Sequence, residues 1–243
     1  MHNRSVDEDS AIDERGRQPI FNLPAVVVAL IGTQVAIHLI RLYLLDREQD
    51  LWVVVNFAFV PVFYSGQFEM GWWSFTAPLT YSLLHATIPH VAINMIWLAA
   101  FGSPLANRLG TVRFLLFWAV TAVAAAGLHY VLHRFDQAPL VGASGAVSGM
   151  MGAAARLGFR IDRSLGKPAF AGPVLPVSVV LRMRPVVTFL AVWMAINLVT
   201  GVFGLMPGEP GRIAWEAHVG GFLVGFLFVA RFDPPGRAAR SHP

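Results

Sequence analysis

Between residues 23 and 232 the chain is divided into six apolar runs, several close to 20 residues long and nearly free of charge. That length limits the fold more than any other feature. About 20 apolar residues, rising roughly 1.5 Å each as a helix, cross the roughly 30 Å hydrocarbon layer of a membrane. Apolar strands of soluble α/β proteins run only about 4–8 residues and carry flanking charge. The runs cover residues 23–45, 78–105, 114–132, 143–159, 186–205 and 217–232, the fourth being short and glycine-rich. Only 13% of residues are charged, where a soluble domain has about 25%. The expected fold is all-α, a polytopic membrane bundle of six transmembrane helices over residues 21–233. A polar segment, 1–20, precedes it and a short tail, 234–243, follows. No basic n-region with an apolar core opens the chain, so the first run reads as a retained anchor.

Stretch 51–64 is apolar but short, and it contains Pro61. With Trp52, Phe57, Trp72 and Trp73 nearby, it reads as an interfacial loop or a short re-entrant or surface helix. The absence of cysteine excludes disulfides, thiolate metal sites and a cysteine nucleophile. The formal charge of +4 falls in the gaps between runs rather than on one face, which argues against a nucleic-acid partner. It reports topology instead. With the N-terminus in the cytoplasm, 14 of the 18 Lys and Arg residues lie inside, and Arg41, Arg47, Arg134 and Arg212 lie outside. Both termini are then cytoplasmic. The second, fourth and sixth runs all enter from the outer face, so their first residues share a depth.

Those first residues are polar. The fourth run opens Gly142-Ala143-Ser144-Gly145-Ala146-Val147-Ser148-Gly149. Its glycines suit close helix packing. Ser144 falls where loop becomes helix, beside free backbone N–H groups and the positive end of the helix dipole. The sixth run opens Trp215-Glu216-Ala217-His218 and carries Gly221 and Gly225 on one face. Two small-residue faces let the helices approach closely enough for His218 to reach Ser144. A serine hydroxyl needs such a base, and a histidine at membrane depth is a functional candidate by default. In the second run His90 and Asn94 are four apart and share a helix face, with His85 ahead of them. Both can donate to an anionic oxygen.

The set His85-x4-His90-x3-Asn94, Gly142-x-Ser144-Gly145 and Ala217-His218-x-x-Gly221-x-x-x-Gly225 resembles the rhomboid family of intramembrane serine proteases, over about residues 24–232. The resemblance implies a Ser144 nucleophile and a His218 general base. It implies an oxyanion site of His90, Asn94 and the Ser144 backbone N–H. Gly142 then permits close backbone approach, and Trp193 stands where a gating fifth helix is expected. The implied partners are transmembrane protein substrates and the lipid bilayer, with no cofactor and no metal; oligomeric state stays open. The implied setting is a bacterial inner membrane, with the site opening to the outer face. Two positions depart from the family: Ser148 stands where some relatives carry a tyrosine against the catalytic histidine, and Trp52 precedes Val53 where some carry a Trp-Arg pair.

Other polar residues read as structural. His129 and His133 share a helix face and raise the question of a metal, but their place beside Arg134 and Asp136 reads as interfacial. Glu216 is two residues from His218 and points another way, which favours a dyad over a triad. His38 pairs with Gln34, and Asn56 and Asn197 hydrogen-bond between helices. A haem protein ligated through His90 and His218 leaves Ser144 unexplained. An inactive rhomboid-like binding protein generally lacks the serine or the histidine. No H-E-x-x-H supports a metalloprotease.

Overall fold

A computed structural model describes residues 23–164, 166–203 and 214–234. The polar segment 1–20, Arg212, the end of the fifth run and nearly all of the tail lie outside the described residues.

The first helix, α1 (Ala25–Tyr43), has an inverted pattern. Gln34 and His38 are buried, whereas Leu39, Ile40 and Leu42 are exposed. An apolar outer face suits a helix whose surroundings are lipid. The stretch expected as a loop or short helix is α2 (Arg47–Phe57). It begins ahead of the apolar stretch because its start is set by polar chemistry. Asp46 accepts from the Gln49 backbone N–H (2.9 Å), and Gln49 Oε1 accepts from the Asp46 N–H (3.1 Å). Asp50 on the same helix pairs with Arg41 at 2.7 Å. A 3-10 turn (Pro61–Tyr64) leads to α3 (Trp73–Thr80). Residues 78–80, expected in the second span, therefore belong to a separate helix.

A turn through residues 81–87 resets the direction, and the Thr87 hydroxyl caps the next helix by accepting from the His90 N–H (3.2 Å). The second span then runs as α4 (Ile88–Trp97), a π-helical stretch (Leu98–Gly102) and α5 (Ser103–Leu109). Next come α6 (Thr111–Leu132), α7 (Ser144–Arg156), α8 (Val177–Val180), α9 (Arg184–Phe203) and α10 (Trp215–Phe232). Between α7 and α8 lies an antiparallel pair, β1 (Ile161–Asp162) and β2 (Ala169–Phe170), a small exception to an all-helical chain. The exposed Asp162 carboxylate accepts from the Ser164 N–H (2.8 Å), which holds its pKa below its ordinary value.

Among the described residues, five helical stretches have the length and apolarity to cross a membrane: Ala25–Tyr43, Ile88–Leu109, Thr111–Leu132, Arg184–Val202 and Trp215–Phe232. The fourth expected span, α7, has 13 residues, about 20 Å of helix. It is buried from Gly145 through Ala155, as befits a helix enclosed by other helices.

Small residues make that enclosure possible. A side-chain carbon on Gly221 would run into the Gly145 carbonyl, and one on Gly225 into the Gly149 carbonyl. The two pairs advance together, so α7 and α10 run parallel with their backbones in contact. On its other side α7 meets α6, where Gly149 faces the Thr121 side chain and Gly145 faces Ala125. At the far end Arg156 donates to the Leu175 carbonyl (2.8 Å) and to the Phe226 carbonyl (2.7 Å). Arg108 forms a two-pronged pair with Asp233 (2.8 and 2.6 Å) and also donates to the carbonyls of Phe170 and Gly172.

Candidate active site

Ser144 is the first residue of α7. The preceding Gly142 has φ +119°, a conformation that side chains disfavour. Space demands glycine there as well. A side-chain carbon on Gly142 would lie 2.8 Å from His90 Nε2 and 3.7 Å from Ser144 Oγ. The imidazole of His90 and the hydroxyl of Ser144 therefore flank the Gly142 backbone. That backbone is held by a Gly142 N–H donating to the Tyr81 carbonyl (3.0 Å). The segment before it is tied to Phe59 through paired hydrogen bonds with Leu140 (2.8 and 3.1 Å).

His90 and Asn94 lie on one face of α4, and Asn94 Nδ2 donates to the His90 carbonyl (3.0 Å). An amide nitrogen carries two hydrogens, so a second remains for another acceptor. His85 lies elsewhere than expected. It sits in the turn ahead of α4, fully buried, with its ring edge-on to His90 at 5.1 Å. Its carbonyl accepts from Arg41 Nη1 (3.0 Å) and His38 Nδ1 (3.3 Å). His85 thus backs the His90 ring rather than facing the site. His38 is engaged with that carbonyl and not with Gln34, whose amide donates to the Leu30 carbonyl (3.0 Å).

His218 enters from the first turn of α10. Gly145 lies 3.8 Å from the Ala217 carbonyl, measured from the position its side-chain carbon would take. The residues that follow Ala217 and precede Gly145 are His218 and Ser144. Both line a single cavity of about 620 Å³, together with His90 and Asn94. The four side chains that the sequence proposed for chemistry thus meet in one space. Ser148 lines it too.

A partner of His218 was missed. Asn197 on α9 faces His218 Nδ1 through its Oδ1, while its Nδ2 donates to the Trp193 carbonyl (2.7 Å). The commitment of Nδ2 fixes which end of the amide is an acceptor. His218 Nδ1 therefore carries the proton, and Nε2 is left with a lone pair. Trp193 is itself stacked on Phe222 at 4.9 Å. Among the described residues no aromatic ring stacks on His218, and the amide of Asn197 from α9 is the partner of its Nδ1. The sequence showed Asn197 four residues after Trp193, but only the fold shows that α9 faces His218.

Glu216 points away from His218, as the helix geometry predicts. It meets His129 and His133 instead, the pair read as interfacial, of which His133 is exposed and His129 is buried. His129 is buried in the last turn of α6. The three form the cluster among the described residues with the donor types and spacing to hold a metal ion.

Membrane-length helices around a short, glycine-lined central helix define an integral membrane protein, and Ser144, His218, His90 and Asn94 share one of its cavities. The Rhomboid domain family matches residues 69–233, a span that holds Ser144, His218, His90 and Asn94. The chain belongs to the rhomboid family. It is 29% identical over 150 residues to "Rhomboid protease GlpG" of Enterobacter sp. (strain 638), which covers 62% of this chain and 46% of that relative. It is 26% identical over 168 residues to "Rhomboid protease GluP" of Bacillus subtilis (strain 168), which covers 69% of this chain and 27% of that one. The chain thus spans less than half the length of these two relatives.

Proposed function

We propose that the chain is an intramembrane serine endopeptidase that hydrolyses peptide bonds in or near transmembrane segments of other membrane proteins. The observation that carries this is the parallel α7–α10 glycine seam, which brings Ser144 and His218 to one cavity beside His90. Ser144 Oγ attacks the substrate carbonyl carbon while His218 Nε2 takes the hydroxyl proton. The carbonyl oxygen gains the negative charge, and the Ser144 backbone N–H, His90 and Asn94 donate to it. As the tetrahedral centre collapses, His218 returns the proton to the leaving amine and an ester to Ser144 remains. Water then attacks that ester, losing a proton to His218, which passes it to Ser144 Oγ as the acyl–oxygen bond breaks and the acid product leaves. Asn197 keeps His218 in the tautomer this sequence of steps needs.

The fold reading that goes with this has six spans, α7 being the fourth, within a membrane domain of residues 21–233. Both termini lie in the cytoplasm and the cavity opens toward the outer face, which the bias of 14 cations against 4 supports. Substrates are transmembrane proteins in the same bilayer. Trp193 lines the cavity from α9, the helix proposed to gate their entry. No cofactor is needed for any step.

The test is cleavage of a single-span substrate by purified protein in liposomes, together with labelling by a serine-reactive phosphonate. Parental protein cleaves and is labelled, and Ser144→Ala does neither. Ser144→Ala or His218→Ala cleaving at the parental rate removes the dyad. A parental protein that neither cleaves nor labels supports an inactive, substrate-binding relative instead.

A further inference from the structure

The His129–His133–Glu216 cluster is not used by the proposed proteolysis. Its chemistry is unusually complete for a structural contact. His129 comes from the last turn of α6, His133 caps that helix, and Glu216 comes from the first turn of α10. One ligand atom from each lies within 4.8 Å of the other two. His129 Nδ1 stands 3.4 Å from Glu216 Oε1, and His133 Nε2 contacts the same oxygen. A tetrahedral site with bonds of about 2.0–2.1 Å separates its ligand atoms by roughly 3.4 Å.

A second observation points to a missing ligand. Glu216 is 5% exposed, yet its Oε2 has no hydrogen-bond partner, and the buried His129 Nδ1 reaches only Glu216 Oε1, at 3.4 Å. Buried carboxylate oxygens left unpartnered are costly. A hydrogen-bonded clamp would satisfy one oxygen through two histidines and leave the other bare. A cation satisfies both the carboxylate and the imidazoles at once. Two nitrogens and one carboxylate oxygen, with a fourth position left for water, is a donor set that zinc takes.

We propose that His129, His133 and Glu216 form a Zn²⁺ site at the rim of the cavity, pinning the end of α6 to the start of α10. Glu216 lies two residues before His218, so an ion here fixes the turn that carries the imidazole. Its three residues line the same cavity as Ser144 but take no step in the proposed serine chemistry, so the ion is tested apart from it.

The experiment uses untagged full-length protein in detergent, stripped with a chelator and titrated with Zn²⁺ by calorimetry. Co²⁺ serves as the spectroscopic stand-in. One equivalent of Zn²⁺ is expected, with the visible absorption of tetrahedral Co²⁺. His133→Ala and Glu216→Gln should each weaken binding by roughly 10-fold or more. His133 has a 42% exposed side chain, so its loss leaves the fold intact. His90→Ala should bind as the parent does. The proposal is overturned if the parent takes up no stoichiometric Zn²⁺, if both cluster variants bind at parental affinity, or if His90→Ala is the variant that loses binding. None of these readings depends on proteolysis.

Discussion

At the residue scale, the site is a set of side chains whose roles differ in how they fail. In the proposed mechanism His90 and Asn94 act on charge that develops during reaction. His90→Ala or Asn94→Ala should lower kcat by on the order of 10²–10³, with KM for a model substrate nearly unchanged. Asn197, in the same mechanism, acts through another residue, His218, whose Nδ1 it faces. With its Oδ1 gone, nothing on α9 selects the His218 tautomer, and Asn197→Ala should lower kcat by on the order of 10–100-fold. Asn197→Asp keeps an acceptor in place and should restore much of the loss. A merely structural role would instead lower thermal stability in both variants without that rescue. Gly142 combines both failures, since φ +119° and the nearby His90 ring each exclude a side chain. Gly142→Ala should abolish cleavage and destabilise the protein by about 1–3 kcal/mol.

At the element scale, one helix pair decides whether there is a site. The α7–α10 contact is backbone against backbone, because Gly221 and Gly225 face the carbonyls of Gly145 and Gly149. A branched side chain there cannot move aside, since what it meets is main chain. Gly225→Val lies two turns from His218 and touches none of the reacting groups. It should nonetheless lower the detergent unfolding temperature, at an overpacking cost of about 1–3 kcal/mol or more, and abolish cleavage with it. This contact was legible in the sequence because small residues at four-residue spacing have few other uses in a membrane helix. The start of the second span was not. Pro78 sits in an apolar stretch that hydropathy cannot divide, and the break at 81–87 arises from local turns and the Thr87 cap. His85 was misplaced for the same reason. The α9–α10 relation was illegible too: Asn197 and His218 are 21 residues apart on helices whose facing no one-dimensional pattern fixes. Glu216 shows the opposite case. Helical geometry correctly turned it from His218, but nothing in the sequence placed His129 and His133 on that other side.

At the scale of the whole molecule, the remaining issue is which way the bundle is threaded. The polar network offers a consistent picture. Arg108, Arg156, the β1–β2 pair and Asp233 gather at the end of the bundle opposite Ser144, linked by Arg108–Asp233 and by Arg156 to the Leu175 carbonyl. The parallel course of α7 and α10 sets their first residues, which bear the reacting groups, at the other end. Cation bias supports a cytoplasmic place for the Arg-rich end. The chain has no cysteine, so any introduced thiol is the sole one and reports its own side of the membrane. Gln137 lies in the exposed segment between α6 and α7, and Arg163 lies in the exposed turn of the β1–β2 pair. In spheroplasts, Gln137→Cys should react with a membrane-impermeant maleimide, and Arg163→Cys should react only after the membrane is opened. The reverse pattern would place the cavity mouth in the cytoplasm, so that substrates would be cut near their inner ends.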